Sequence, residues 1–285
     1  MEPEPKLSVV ICSIGAPFVA EAVSSVADSA ARAGIPTEIL VVWQGGDAPP
    51  EFHGSASVLD VSPPGLSRAR NRGLEHARAA IVAFVDEDEV VDPRWAAGVV
   101  TTFEREPVPD AAFGPVAPLD ERGLPYCHYE GGEHRLFEGG STPPWVVGTG
   151  GNMAFRRDVL VAAGGFDLRF GIGAPARSAE ESDVVIRLLR AGRRIAWSPE
   201  MPVYHPTKSE QEHLESRWPY GFGMGSVLRR HRAGGHVLRY LVTIFQTLGL
   251  TIRTHDVRRR RETLATFRSF IAGLLTPLRP PADRE

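Results

Sequence analysis

Short apolar runs alternate with amphipathic stretches through the first third of this 285-residue chain, and that rhythm restricts the fold more than any single motif does. Residues 7–12 form a β-rich apolar run, Gly15-Ala16-Pro17 breaks it, and residues 18–33 are alanine-rich with helical periodicity. Residues 38–43 read as a second strand ending at Gly45-Gly46, residues 56–61 as a third ending at Pro63-Pro64-Gly65, and residues 67–77 as a helix. A fourth apolar run covers residues 79–85. Strands and helices at this spacing predict an α/β fold with a mostly parallel central sheet covered on both faces. In open sheets of this kind, ligands bind beyond the carboxyl ends of the strands.

The fourth run stops at that end in four acids, Asp86-Glu87-Asp88-Glu89. In extended chain Asp86 and Asp88 share one face, and Glu87 and Glu89 share the other. Two aspartates side by side suit a hard divalent cation, Mg2+ or Mn2+, which completes its shell with water and substrate phosphate oxygens. The structural alternative is a solvated acidic turn ahead of a helix starting at Asp92-Pro93. That helix is expected to run to about residue 103, after which residues 107–150 turn irregular and rich in Gly and Pro, with the polar-aromatic Tyr126-Cys127-His128-Tyr129 inside them. A connection of this length is a functional lid or disordered. Order is expected to resume at residues 145–147 and then 152–155, with helices at 157–163 and 179–191, strands at 195–197 and 203–205, and a mostly helical chain from residue 210.

Two cysteines, Cys12 and Cys127, are too few and too far apart for a disulfide framework or a zinc site, which fits a reducing, cytoplasmic compartment. The first six residues are acidic and proline-containing, unlike a secretory leader, and no apolar stretch is long enough to span a bilayer. Charge is polarised: residues 217–285 carry 13 arginines against 4 acids, whereas residues 1–216 carry 19 basic and 31 acidic residues. No nucleic-acid-binding motif accompanies the basic tail.

Seven segments in order carry a specific likeness. They are the opening strand Leu7-Ser8-Val9-Val10-Ile11-Cys12-Ser13; Gly65 to Leu74 with its Ala69-Arg70-Asn71 core; Phe84-Val85-Asp86-Glu87-Asp88; Gly150-Gly151-Asn152-Met153-Ala154-Phe155-Arg156; Gly164-Gly165-Phe166-Asp167; Glu180-Glu181-Ser182-Asp183 with Arg187; and Val203-Tyr204-His205. Together they resemble a family 2 glycosyltransferase with the GT-A fold, a Rossmann-like sandwich, over about residues 7–205. The resemblance implies an inverting transfer of sugar from a nucleoside-diphosphate sugar to an acceptor hydroxyl. It implies a catalytic domain over residues 1–206 and a basic helical extension over 207–285.

Asp86 to Asp88 matches the family's Asp-x-Asp motif, so Asp88, with Asp86 and His205, would hold a metal bridging the donor diphosphate. Cys12, Ser13, Gln44, Arg70, Asn71, Asp86, Glu87, Gly150, Gly151 and Asn152 match donor-binding positions. Arg68, Arg70 and Arg72 also read as the solvated side of a helix, and a histidine after a strand is often structural. Glu181 stands where the family commonly has an aspartate base, with Glu180 and Asp183 as competitors. Its structural alternative is a capping box, Ser178-Ala179-Glu180-Glu181, in which Glu181 bonds back to Ser178. Trp43-Gln44-Gly45-Gly46 departs from the family's acidic pattern, and an amide that both donates and accepts leaves the donor base open. Trp43 either stacks on that base or fills core.

In the tail, Leu241, Ile244, Phe245, Leu248 and Ile252 fall near one helical face bracketed by Arg239 and Arg253, and Arg258 to Arg261 follow. Residues 239–275 can therefore lie on an anionic membrane at its inner face, suiting a lipid-linked or glycan acceptor, or pack onto the body. Two rival functions remain open: a Mg2+-dependent nucleotidyltransferase, and a non-catalytic nucleotide-sugar-binding scaffold.

Overall fold

A computed structural model describes residues 4–15, 17–45, 48–52, 56–125 and 132–279. The elements are β1 (Leu7–Ser13), α1 (Val19–Ala33), β2 (Thr37–Trp43), β3 (Ala56–Asp60), α2 (Leu66–His76), β4 (Ile81–Asp86), β5 (Val90–Val91) and α3 (Trp95–Glu104). There follow β6 (Ala111–Phe113), β7 (Val116–Pro118), β8 (Arg135–Phe137), β9 (Asn152–Arg156), α4 (Arg157–Ala162), α5 (Glu180–Arg190), β10 (Ile195–Trp197) and β11 (Val203–His205). Helices α6 (Glu210–Arg230), α7 (Gly234–Arg253) and α8 (Val257–Leu275) end the chain.

Eight strands form one sheet in the order β3-β2-β1-β4-β9-β6-β10-β8. β1 pairs in parallel with both β2 and β4, β2 pairs in parallel with β3, and β9 runs antiparallel to β4 and β6. All seven residues of β1 are buried, because alternate side chains feed two separate layers. Val9 and Ile11 meet Val23 and Val26 of α1 and Trp95 and Val99 of α3. Val10 and Cys12 meet Ala69 and Leu74 of α2 together with Phe84, Phe155 and Phe166. Register sets Cys12 against Val42 on one side and Asp86 on the other, so Ser13, Trp43 and Asp86 end at one edge.

A second sheet, β5-β11-β7, crosses the chain beside that edge. Val203 lies opposite Val91, and Tyr204 opposite Val90, which brings the following His205 next to the acidic turn. Residues 107–150 are less irregular than their composition suggests, since they supply β6, β7 and β8. Strands of three residues are too short to show a period, and neighbours hold them in place. Where order is expected to resume near residue 145, the chain forms a 3₁₀ turn, Pro144–Val146, with proline in its first turn. Tyr126-Cys127-His128-Tyr129 and Gly46 lie outside the described residues.

Helix α6 starts from a capping box in which Ser209 Oγ accepts from Glu212 N while Ser209 N donates to Glu212 Oε2 at 2.9 Å. Met224, Val227 and Leu228 of α6, Ile244 of α7 and Phe270 of α8 share a third core with Phe170 and Ile186 of the body. The tail therefore packs on the body, as one of the two sequence readings expected. Its apolar stripe is nevertheless wider than the contact. Ile244 is buried, while Leu238 (65% exposed), Phe245 (57%) and Ile252 (55%) face outward.

Helices α6 and α8 meet backbone to backbone. A Cβ on Gly221 would lie 2.6 Å from Thr266 O, one on Gly225 2.2 Å from Phe270 O, and one on Gly273 2.1 Å from Phe222 O. Gly225→Ala must push the helices apart and should cost about 1–3 kcal/mol in denaturant unfolding. Gly249→Ala in α7, where an added Cβ meets nothing within 4 Å, should stabilise by up to about 1 kcal/mol. Equal effects from the two would refute the close contact.

Candidate active site

Strand β4 ends at Asp86 and the chain turns back at once. Glu89 N donates to Asp86 O at 3.2 Å, and Asp86 N donates to the Glu89 carboxylate at 3.1 Å. The four acids therefore do not continue the alternation expected of extended chain; each faces a different element. Glu87 turns back to β1, where Ser13 Oγ donates to it at 2.5 Å. Glu89 is fully buried, and burial, reinforced by the charge of Asp86, pushes its carboxyl well above the ordinary range. Asp86 meets Arg70, and Asp88 meets His205.

Arg70, on α2, is 2% exposed and organises the centre. Its guanidinium donates to Glu180 at 2.5 Å, Asp86 at 3.1 Å and Gly150 O at 2.9 Å, and lies 5.5 Å from the Phe166 ring centroid. Burial alone would lower its pKa, but the two carboxylates outweigh burial and hold it charged above its ordinary value. The arginine is thus spent on protein carboxylates. Glycines 150 and 151 make room for the same group, since a Cβ at Gly150 would sit 3.0 Å from Glu180 Oε1 and one at Gly151 2.3 Å from Glu89 Oε1.

His205 Nδ1 lies 2.6 Å from Pro206 O, an atom that can only accept, so Nδ1 carries the proton. Nε2 then points at Asp88 Oδ2, 3.3 Å away. A lone pair and a carboxylate at this distance call for a cation, either a second imidazole proton or a metal. Burial favours the uncharged forms, yet each group outweighs it for the other: Asp88 is held below and His205 above the ordinary value. Among the described residues no three His, Cys, Asp or Glu side chains converge as a metal cage. Asp88 and His205 are the pair able to take a cation, and two protein ligands suffice for Mg2+ or Mn2+ when phosphate and water complete the shell.

Helix α5 starts at Glu180 after two residues with positive φ outside glycine, Arg177 (65°) and Ala179 (70°). Ser178 does not cap it. Ala179 occupies the cap position, and Ser178 Oγ donates instead to Pro219 O on α6 at 2.8 Å. Glu181 is therefore not tied to Ser178. Its carboxylate accepts from Ser182 Oγ at 2.9 Å and lines a cavity of about 580 Å³ shared with Asp86, Arg70 and Gly151. Burial, then the negative charge of Glu180, pushes its pKa up to about 7. Asp183, 1% exposed, is engaged elsewhere: it meets Arg187 at 2.8 Å and His231 Nε2 at 2.7 Å, fastening α5 to the end of α6.

Other positions expected at the donor are buried or have protein partners. Asn152 is fully buried, donating to Pro115 O and Met201 O and accepting from Trp95 Nε1. Asn71 holds Phe166 through both its carbonyl and its amide N–H, each at 2.8 Å. Cys12 is buried, which pushes its thiol pKa up to about 12. Gln44 Oε1 accepts from Gly65 N at 2.7 Å, which fixes the orientation of its amide. Trp43 is core, covered by Gly15 and Gly45. The sequence reading passed over Glu89, signalled only as the fourth acid after a strand, and the cavity residues Trp145, Arg217, Tyr240 and Arg259, which come together only once the tail packs.

A family model described as "Glycosyl transferase family 2" matches residues 8–162, more than half of the chain. The glucosyl-dolichyl phosphate glucuronosyltransferase of Haloferax volcanii is 27% identical over 231 residues, 70% of this chain and 69% of that protein. The succinoglycan biosynthesis protein ExoM of Rhizobium meliloti is 29% identical over 158 residues, 52% of this chain and 47% of its own length. Among solved structures, the mannosyltransferase PcManGT of Pyrobaculum calidifontis, in complex with GDP-Man and Mn2+, superposes with a TM-score of 0.64 at 14% identity, covering 94% of this chain and 88% of that one. TarS residues 1–349 of S. aureus, in complex with UDP-GlcNAc, gives a TM-score of 0.53 at 14% identity, covering 94% of this chain and 81% of that one.

Proposed function

The chain belongs to glycosyl transferase family 2 and has the GT-A fold, and on that premise we propose that it is an inverting, divalent-metal-assisted enzyme moving a sugar from a nucleoside-diphosphate sugar to an acceptor hydroxyl. One observation carries the reading: Glu181, with its pKa near 7, lines the same cavity as the Asp86–Arg70–Glu180 chain, and Asp88, two residues beyond Asp86, pairs with His205.

Residues 1–206 would form the donor side and residues 207–285 the acceptor side. Asp88 and His205 would hold Mg2+ or Mn2+, which when bound neutralises charge on the departing nucleoside diphosphate. Ser13, Gln44 and Glu87 would meet the nucleoside, and Asp86 would face the ribose or a metal-bound water. Glu181 takes the proton of the acceptor hydroxyl. The acceptor oxygen then bonds to the anomeric carbon while the bond to phosphate breaks on the opposite face. Arg70, Asn71, Asn152 and Asp183 are positioning residues in this reading, and Glu180 keeps Arg70 in place.

A lipid-linked acceptor is supported by the dolichyl phosphate in the name of the Haloferax relative and by the shape of α7. No helix among the described residues is long and apolar enough to cross a membrane. The outward Leu238, Val242, Phe245 and Ile252, beside Arg239, Arg253 and Arg260, would instead rest on an anionic leaflet.

Three outcomes follow. Glu181→Gln should lower kcat about 10²–10⁴-fold, and wild-type kcat/KM should rise as pH increases through about 7, since only the deprotonated carboxylate of the free enzyme accepts a proton. A carboxyl raised in the folded state stabilises least once deprotonated, so the glutamine variant should unfold no more easily than wild type at pH 8; an active glutamine variant would eliminate Glu181 as base. Thermal shift with nucleoside diphosphates should depend on Mn2+ and lose that dependence in Asp88→Asn. In turnover, release of pyrophosphate in place of nucleoside diphosphate would establish the nucleotidyltransferase rival. Finally, the full chain should float with vesicles containing phosphatidylglycerol and not with neutral ones, and Leu238→Glu with Phe245→Glu should abolish flotation; unchanged flotation would remove α7 from the membrane contact.

A further inference from the structure

We propose that the part of the large cavity lined by the tail helices is a phosphate-binding acceptor subsite in which Arg217 of α6 and Arg259 of α8 grip a phosphate ester on the acceptor. The proposal rests on the glycosyltransferase reading above and identifies the chemical class of its second substrate.

The body lines the cavity with Asp86, Glu180 and Glu181 beside Arg70 and Arg177, and the tail helices line it with Arg217 and Arg259 beside Glu262. Glu262 is only 7% exposed and already engaged, 2.9 Å from Arg258 and 3.2 Å from His213 Nδ1. Arg217 donates to His213 O and Ser216 Oγ, both at 3.1 Å, and lies 5.2 Å from the Tyr220 ring centroid. Among the described residues no carboxylate forms an ion pair with Arg217 or Arg259. A half-buried guanidinium held by neutral acceptors and an aromatic face remains uncompensated, and its planar donor fork matches phosphate oxygens.

Trp145 and Tyr240, which line the same cavity, meet edge to face with centroids 4.9 Å apart, giving a sugar ring an aromatic wall. The volume, about 580 Å³, falls in the small-molecule range. A phosphate at the arginines would lead past this aromatic wall to a sugar hydroxyl at Glu181. The phosphate could be carried by a lipid or by a soluble sugar, and Tyr240, Ile244 and Thr247 of α7 line the cavity whose other side bears the exposed apolar face.

Isothermal titration of the full-length protein tests the site with three probes: decyl phosphate, glucose 1-phosphate and inorganic phosphate. Binding of a phosphate ester to wild type should weaken about tenfold or more in Arg217→Ala/Arg259→Ala. Binding of nucleoside diphosphate with Mn2+ should stay unchanged, which also shows that the variant is folded. Tighter binding of decyl phosphate than of glucose 1-phosphate supports a lipid-linked source, and the reverse order supports a soluble one. Equal probe affinity in the variant and wild type overturns the proposal, as does a wild-type protein that binds nucleoside diphosphate and none of the probes. Probe binding that depends on the arginines, in a protein that binds no nucleoside diphosphate with Mn2+, keeps the anion site and overturns its assignment to an acceptor.

Discussion

Everything at the carboxyl edge of the sheet is arranged around a single buried guanidinium. Arg70 brings Asp86 of β4, Glu180 of α5 and the Gly150 carbonyl to one point, three segments far apart in sequence. Without a cation there, two carboxylates and a carbonyl dipole would share a nearly dry space, and breaking such a group costs about 3–5 kcal/mol. The glycines at 150 and 151 keep this space open, because a Cβ at Gly150 would crowd Glu180 and one at Gly151 would strike Glu89 beside Asp86. Fixing Glu180 also fixes the first turn of α5, and with it the direction of Glu181. Stability and chemistry at this edge are one arrangement.

The main sheet was legible because β1, β2 and β4 are buried on both faces and so read as unbroken apolar runs. The small strands β6 to β8 were not, since three residues carry no period and their pairing is supplied by distant chain. Two segments make the limit plain. Ser178-Ala179-Glu180-Glu181 and Ser209-Glu210-Gln211-Glu212 share one local pattern, yet only the second forms a capping box. Pro219 O on α6, presented by the folded tail, takes the Ser178 hydroxyl, so a local rule yields to a tertiary partner.

The same lesson separates the acids and amides of the site. Asp86 and Asp88 were legible as a pair at a strand end, but the tight turn after Asp86 sends them to different partners. Asn71 and Asn152 sit in glycine-flanked text that suggests a ligand, whereas their amides hold loop carbonyls that would otherwise be buried unpaired. Glu181 was legible as an acid at a helix start, and its raised pKa comes from what surrounds it, which one-dimensional text does not contain.

The bond from Asp183 to His231 joins the helix bearing Glu181 to the end of the helix bearing Arg217. The two halves of the cavity are therefore not independent modules. Recombining this catalytic body with the tail of another relative would sever the bond unless the incoming segment supplied a donor at the same turn, leaving Asp183 with only Arg187. Grafting a foreign tail onto this body therefore calls for a histidine or another donor at that turn.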